Sequence, residues 1–575
     1  MKRFLLGVLA GVVIAGVSVV VLFFASLKLA DRTPSVPDRF VLVVRLQGAM
    51  PEVSSTSLPF PGLEGQTPLT VVELYRVLRN AAQDSRVAGV FLVPAGAQAG
   101  WGKMQELREG IAAVRAAKKP VYAWLQSPGM RDYYLAAGAD KVFAGPEDLI
   151  DVKGLSLEAT YFKGSLDKLG VRVEIEHAGR YKDAGDTFTR TSMSPETRES
   201  LDALLDGIYS RILSALAEGR GKSVEEVRSI VDQGPFVAPK ALEAGLLDGL
   251  MYEREAREAL TEAAGVEKDA VVTARRYLGA LPRGKGKRVA VLVAQGDILR
   301  VSGGGFLAEE QAITPRAMSR MIRSIREDNS ISGVILRVDS PGGDAVASDE
   351  ILSELKALSS KKPVVISMSD VAASGGYYIA MTGDPVLAYP DTVTGSIGVI
   401  YGKVNIQGLY DKLGISSETL KRGANADIDS ALKPLTPESR RKLREGVEFI
   451  YDGFLKRVAE GRRRPVEEIA PVAEGRVWLG SDAKERGLVD DLGGFTLAID
   501  KIREKSGLGA DEAVRLVVYP ERKSLFQQLM QKDEDSVESA PFSARQALLN
   551  EAGPGIAPWL TGGMLKSMPF RLEIR

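Results

Sequence analysis

The sequence predicts an α/β protein: two tandem copies of one layered fold, preceded by a single N-terminal transmembrane helix. Three observations carry this. An uncharged apolar run lies near the N-terminus, internal matches recur at a nearly constant offset, and Val/Ile-rich runs alternate with segments of helical spacing.

The apolar run comes first. After Lys2 and Arg3, residues Phe4 to Leu27 carry no charge, and Lys28, Asp31 and Arg32 close the stretch. As a helix it would span roughly 36 Å, enough for a hydrocarbon core of about 30 Å. A cleaved signal peptide fits less well, because cleavage after Ala30 would put Lys28 where a small residue is required. Residues 1–30 therefore read as an anchor, with the N-terminus cytoplasmic by the positive-inside rule and the body outside.

The duplication is written in seven matches. Phe40 to Gly48 resembles Val289 to Gly296, Gly89 to Val93 resembles Gly333 to Arg337, and Lys118 to Val121 resembles Lys361 to Val364. Tyr133 to Ala136 resembles Tyr377 to Ala380, and Ser194-Pro-Glu-Thr-Arg198 resembles Thr436-Pro-Glu-Ser-Arg440. Glu218 to Glu226 then resembles Glu460 to Glu468, and Gly245 to Asp248 resembles Gly487 to Asp490; the offset drifts only from 248 to 242. Within the copies, Gly333–Val338 and Val364–Met368 read as buried strands and Ala347–Leu358 as a helix, an alternation that favours parallel pairing. The expected units are 31–285 and 286–507, joined by a basic linker at Arg283 to Arg288. An extension, 508–575, has no evident counterpart in the first copy and reads as a surface-wrapping or subunit-contact tail.

Composition removes several chemistries. Among 575 residues there is no cysteine and one histidine, His177, so disulfides, thiolate catalysis and His-rich metal sites are excluded. Lys+Arg and Asp+Glu both number 75, which argues against a nucleic-acid binder. His177 lies 197 positions before Ser374, against the Ser, Asp/Glu, His order of a nucleophile elbow, so it reads as a strand-end residue. Gly221-Lys-Ser223 lacks the earlier glycine of a phosphate loop, since Leu216 stands there.

The chemistry lies where the copies differ. The second copy has Asp339-Ser-Pro-Gly-Gly343 and Ala373-Ser-Gly-Gly-Tyr377, where the first has Ala95 to Ala99 and Gly129-Met-Arg-Asp-Tyr133. Conversely, Gly179-Arg-Tyr-Lys-Asp183 of the first copy stands opposite Gly423-Ala-Asn-Ala-Asp427. One copy holds Ser374, the other Lys182. Singly, a Ser-Gly-Gly is usually a turn and a lysine usually solvated; their reciprocal placement is what marks them. Lysine can deprotonate a serine if its pKa falls from ~10.4 to about 7–8, a cost of about 4 kcal/mol that an apolar enclosure must impose. Ser374 at a helix start would place the backbone N–H of Gly375 near a developing oxyanion, and Gly343 on the adjacent turn offers a second donor.

These residues, together with Tyr181-Lys-Asp-Ala184, Met193-Ser-Pro-Glu196, Thr394-Gly-Ser-Ile-Gly398 and Gly475-Arg-Val-Trp478, resemble the long, duplicated form of signal peptide peptidase A, also called protease IV. The resemblance covers residues ~4–507. It implies a crotonase-like fold, shared with the caseinolytic protease, in each half. It implies a Ser–Lys dyad with Ser374 as nucleophile, Lys182 as general base and Ser396 hydrogen-bonded to the lysine amine. It further implies a membrane-tethered homotetramer in the bacterial inner membrane that degrades signal peptides and other unfolded peptides, with no cofactor or metal. The polar Asp183 and Asp186 are the one departure from the pattern. Two other classes stay open: a crotonase-like acyl-CoA enzyme and a catalytically silent membrane scaffold.

Overall fold

The computed structural model describes Gly11 and residues 34–53, 68–282, 286–300, 312–509, 512–521 and 563–567. Apart from Gly11, the expected anchor lies outside the described residues. Among the described residues no helix is long and apolar enough to cross a membrane.

Two parallel sheets form the body. In the first, the strand order is 249–250, Lys141–Ala144, Val121–Leu125, Val87–Gln98, Phe40–Ala49 and Val271–Thr273. In the second, Val393–Gly395, Val364–Ala373, Ile331–Ser340, Lys287–Gln295 and Val514–Tyr519 follow one another, with Val477–Leu479 antiparallel at one edge. Strands of parallel sheets are covered on both faces, which is why the sequence shows continuous runs such as Val334-Ile-Leu336, all fully buried.

The duplication is visible bond by bond. Tyr133 Oη donates to the Leu246 carbonyl at 2.8 Å, and Tyr377 Oη donates to the Leu488 carbonyl at the same distance. Arg220 binds the Gly245 carbonyl and Asp248, and Arg462 binds the Gly487 carbonyl and Asp490. Each copy carries a 26-residue helix, Pro195–Arg220 or Pro437–Arg462. Each starts the same way: Ser194 or Thr436 caps a backbone N–H of the first turn, and proline occupies a first-turn position where its missing N–H costs nothing.

Two expectations change. Lys287 and Arg288, read as linker, begin the first strand of the second sheet. The extension is not without a counterpart: Val514–Tyr519 pairs with Lys287–Leu292 as Val271–Thr273 pairs with Val41–Val43.

A third sheet joins the copies. Its order is 312–313, 297–298, Gly342–Asp344, Gly563–Ser567, Val399–Asn405 and Arg172–Ala178. Arg172–Ala178 comes from the first copy and pairs antiparallel, residue for residue, with Val399–Asn405 of the second.

Candidate active site

That cross-copy ladder positions the lysine. Ala178 stands opposite Val399, so the chain leaving the first strand toward Lys182 runs beside the chain arriving from Ser396. Tyr181 N–H then donates to the Glu474 carbonyl at 2.7 Å, pinning the lysine turn a second time. The packing is close enough to require glycine. A Cβ on Gly475 would lie 2.6 Å from Lys182 N, and one on Gly398 would lie 3.0 Å from Lys182 Cδ. Gly475 also has φ +77°, a conformation other residues rarely adopt.

Ser374 closes the strand Val364–Ala373 and caps the helix Gly375–Ile379. Its φ is +55°, in a region costly for a residue with a side chain. Two features hold it there: its N–H donates to the Gly395 carbonyl at 2.8 Å, and Gly376 packs against the Ser340 carbonyl with no room for a Cβ. Ser396 has φ +52° and is held by its own N–H to the Arg476 carbonyl at 2.7 Å.

The three side chains meet. Lys182 Nζ lies 2.8 Å from Ser374 Oγ, 2.9 Å from Ser396 Oγ and 3.0 Å from the Ser396 carbonyl. All three residues have no solvent-exposed surface. Gly343 belongs to the short strand Gly342–Asp344, and its N lies 3.1 Å from where a Cβ on Gly375 would stand, so the two expected oxyanion donors are neighbours. Asp183, beside the lysine, is half-buried, and desolvation raises its carboxyl to about 6; Thr197 Oγ1 donates to it. His177 stays on the exposed strand edge, its Nδ1 3.1 Å from the Gly179 carbonyl. Among the described residues no cluster of three or more His, Asp or Glu has the arrangement of a metal site.

One assembly escaped the sequence. Lys103, from the first copy, lies 2.6 Å from Asp339, 3.3 Å from Asp370 and 3.9 Å from Glu52, all nearly buried. Arg337 lies 3.1 Å from Glu52 and 3.7 Å from Glu106, with its guanidinium over the Phe495 ring. Asp339 thus anchors the turn that leads to Gly343, and Asp370 the strand end that leads to Ser374. Burial pushes the Glu106 carboxyl up to about 7 and raises that of Asp339, despite the nearby cations. The signal was available in Asp339-Ser-Pro-Gly-Gly343, but a carboxylate in a turn motif gives no hint that its partner sits 236 residues away.

Residues 113–267 and 356–509, one segment in each copy, match peptidase family S49. The chain belongs to that family. This S49 peptidase is of the serine class. It is 37% identical over 458 residues to the chloroplastic serine protease SPPA of Arabidopsis thaliana, covering 78% of this chain and 68% of the plant protein. It is 31% identical over 501 residues to protease 4 of Salmonella typhi, covering 84% of this chain and 78% of that one. A putative signal peptide peptidase SppA of Enterococcus faecium is 34% identical over 223 residues, 39% of this chain and 64% of its own. The S49 segments end before the 563–567 strand, which therefore lies outside the family match.

Proposed function

We propose that this protein is a serine endopeptidase whose nucleophile, Ser374, is activated by Lys182 across the copy–copy junction, and that it degrades signal peptides. The observation that carries the reading is the 2.8 Å separation of Lys182 Nζ and Ser374 Oγ in a site sealed from water. A neutral lysine amine takes the serine proton as Oγ attacks the scissile carbonyl carbon. The N–H groups of Gly343 and Gly375 stabilise the oxyanion of the tetrahedral intermediate. The ammonium then returns its proton to the departing amine, leaving an acyl-Ser374 ester. Water, deprotonated by the same lysine, hydrolyses that ester and frees the carboxylate and the serine. Ser396 contributes its hydroxyl and carbonyl to fix the lysine's direction.

The substrate class comes from relatives named for signal peptides, and from the apolar N-terminal run that would tether the enzyme where such peptides remain. The same reading takes residues 1–30 as the anchor, with a cytoplasmic N-terminus and an extracytoplasmic body. It takes 31–285 as one crotonase-like unit, 286–507 together with the 514–519 strand as the other, and the assembly as a homotetramer.

A fluorophosphonate probe tests the chemistry. It should label the wild-type chain and neither Ser374→Ala nor Lys182→Ala, and labelling should weaken on acidification as the amine becomes charged. Labelling that persists in Ser374→Ala, or a rate flat between about pH 5 and 9, would refute the dyad.

A further inference from the structure

The three residues before the edge strand Val477–Leu479 lie where the two copies' contributions to the site meet. Toward the second copy, Ser396 N–H donates to the Arg476 carbonyl at 2.7 Å, and Gly475 N–H donates to the Ile397 carbonyl at 2.8 Å. Toward the first, Tyr181 N–H donates to the Glu474 carbonyl at 2.7 Å, and Arg180 N–H donates to the Glu474 carboxylate at 3.0 Å. Residues 474–476 thus bridge the turn that carries Lys182 and the turn that carries Ser396. The middle of that bridge is Gly475, its most pliable link. A bridge hinged on glycine needs a brace.

The Arg476 side chain supplies one. Its guanidinium lies 5.0 Å from the centroid of the Tyr181 ring, in the first copy, and 4.3 Å from that of the Trp478 ring, in the second. Tyr181 is the residue before Lys182, and Trp478 stands opposite Thr394 in the strand pair that leads into Ser396. Glu199, from the first copy's long helix, fastens the assembly. One of its carboxylate oxygens accepts from Arg476 Nη1 at 2.6 Å, and the other accepts from Tyr181 Oη at 3.0 Å. A planar guanidinium can lie on rings and bind a carboxylate at once. Lysine has a long, flexible stem, so the placing of the Lys182 amine rests on where the two turns stand.

Resting on the serine-peptidase reading, we propose that Arg476 is a positioning residue of the hydrolysis. Its guanidinium, held by Glu199 and shared by the Tyr181 and Trp478 rings, locks the lysine turn of the first copy against the Ser396 turn of the second. Lys182 Nζ is thereby held at 2.8 Å from Ser374 Oγ and 2.9 Å from Ser396 Oγ. Without the brace the two turns part at Gly475, and a displacement of about 1 Å is enough to cost on the order of 100-fold in rate. The contact orients the base rather than the peptide, so the loss falls on kcat.

The test uses the full-length chain. Arg476→Met keeps a long side chain against the rings and removes the charge and the fork. It should lower kcat on a fluorogenic peptide on the order of 100-fold, with KM within about twofold of wild type. Glu199→Gln, at an exposed helix position, removes only the charge that fastens the arginine and should lower kcat by about tenfold. The rate of fluorophosphonate labelling, which needs no peptide binding, should fall by the same factors. In a cycle with Ser396→Ala, the double variant with Arg476→Met should stay within about threefold of the slower single variant, since both act on the direction of one amine. Wild-type kcat in both Arg476→Met and Glu199→Gln, a loss confined to KM, or effects that multiply in the double variant overturns the proposal. Undiminished labelling of Lys182→Ala would instead sink the Ser–Lys reading. A silent Lys182→Ala beside fully active Arg476→Met and Glu199→Gln chains would sink the positioning role alone.

Discussion

Replacing Lys103 by methionine removes one cation from beneath three carboxylates. Asp339, Asp370 and Glu52 lie 2.6, 3.3 and 3.9 Å from its Nζ, and none has a carboxyl more than slightly exposed. Methionine keeps the volume, so the loss is electrostatic rather than a cavity. Breaking a buried ion pair by removing one partner costs about 3–5 kcal/mol. The cost has a ceiling, because a carboxyl can take up a proton instead: for an ordinary pKa near 4, that costs about 4 kcal/mol at pH 7. Asp339 already lies above the ordinary range, so it is the carboxyl that protonates most readily once the lysine is gone. The sign of the pH dependence follows. A carboxyl whose folded pKa exceeds its unfolded value binds more protons when folded, so its penalty grows as pH rises through the folded pKa and shrinks on acidification. Lys103→Met should therefore lower the thermal midpoint by about 3–4 °C near pH 8, and by much less near pH 5. Activity should fall with it, since Asp339 and Asp370 anchor the chain segments carrying Gly343 and Ser374. Scanning calorimetry of both proteins at the two pH values is the assay. A midpoint within about 1 °C of wild type at pH 8, or a deficit equal at both pH values, would refute the reasoning.

Three further outcomes are expected. Ser374→Ala and Lys182→Ala should each abolish peptide hydrolysis, and the double variant should be no slower than either, because the pair acts as one unit; initial rates on a fluorogenic peptide decide this. Gly475→Ala drives a Cβ to 2.6 Å from Lys182 N at a positive φ, and a shift of about 1 Å in the lysine should lower kcat on the order of 100-fold while KM changes little. Asp183→Asn removes a half-buried charge whose carboxyl stands at about 6; the variant should gain about 1–3 kcal/mol on wild type near pH 8, about half of that near pH 5 and little near pH 3, as read by urea unfolding.

The duplication and the residues of the site were legible because both are local patterns. Tyr133-Tyr-Leu-Ala136 and Tyr377-Tyr-Ile-Ala380 announce equivalent helices, and the placement of Lys182 opposite Ala426 and Ser374 opposite Met130 marks a polar difference on a shared scaffold. What the sequence hid is who pairs with whom. Nothing in Arg172–Ala178, a half-exposed strand of mixed polarity, says that its partner is Val399–Asn405. Strand partners are chosen by closure of the whole sheet, not by either strand's own pattern. Lys103 and Arg337 were illegible for a related reason: burial of a charge depends on what covers it, and here the cover comes from the other copy. Gly398 and Gly475 sit within the motifs that revealed the family, but only the closeness of the lysine turn gives them a task.

The contact between Lys182 and Ser374 spans 192 residues of chain. A ribosome adding about 5–20 residues per second delivers the lysine roughly 10–40 s before the serine. The strand that receives the lysine turn, Val399–Asn405, follows later still. During that interval the first copy can fold its own sheet, yet it has nothing with which to cut. The lysine and the serine thus stay apart until the second copy docks, and pairing of Val399–Asn405 with Arg172–Ala178 is the event that brings them together.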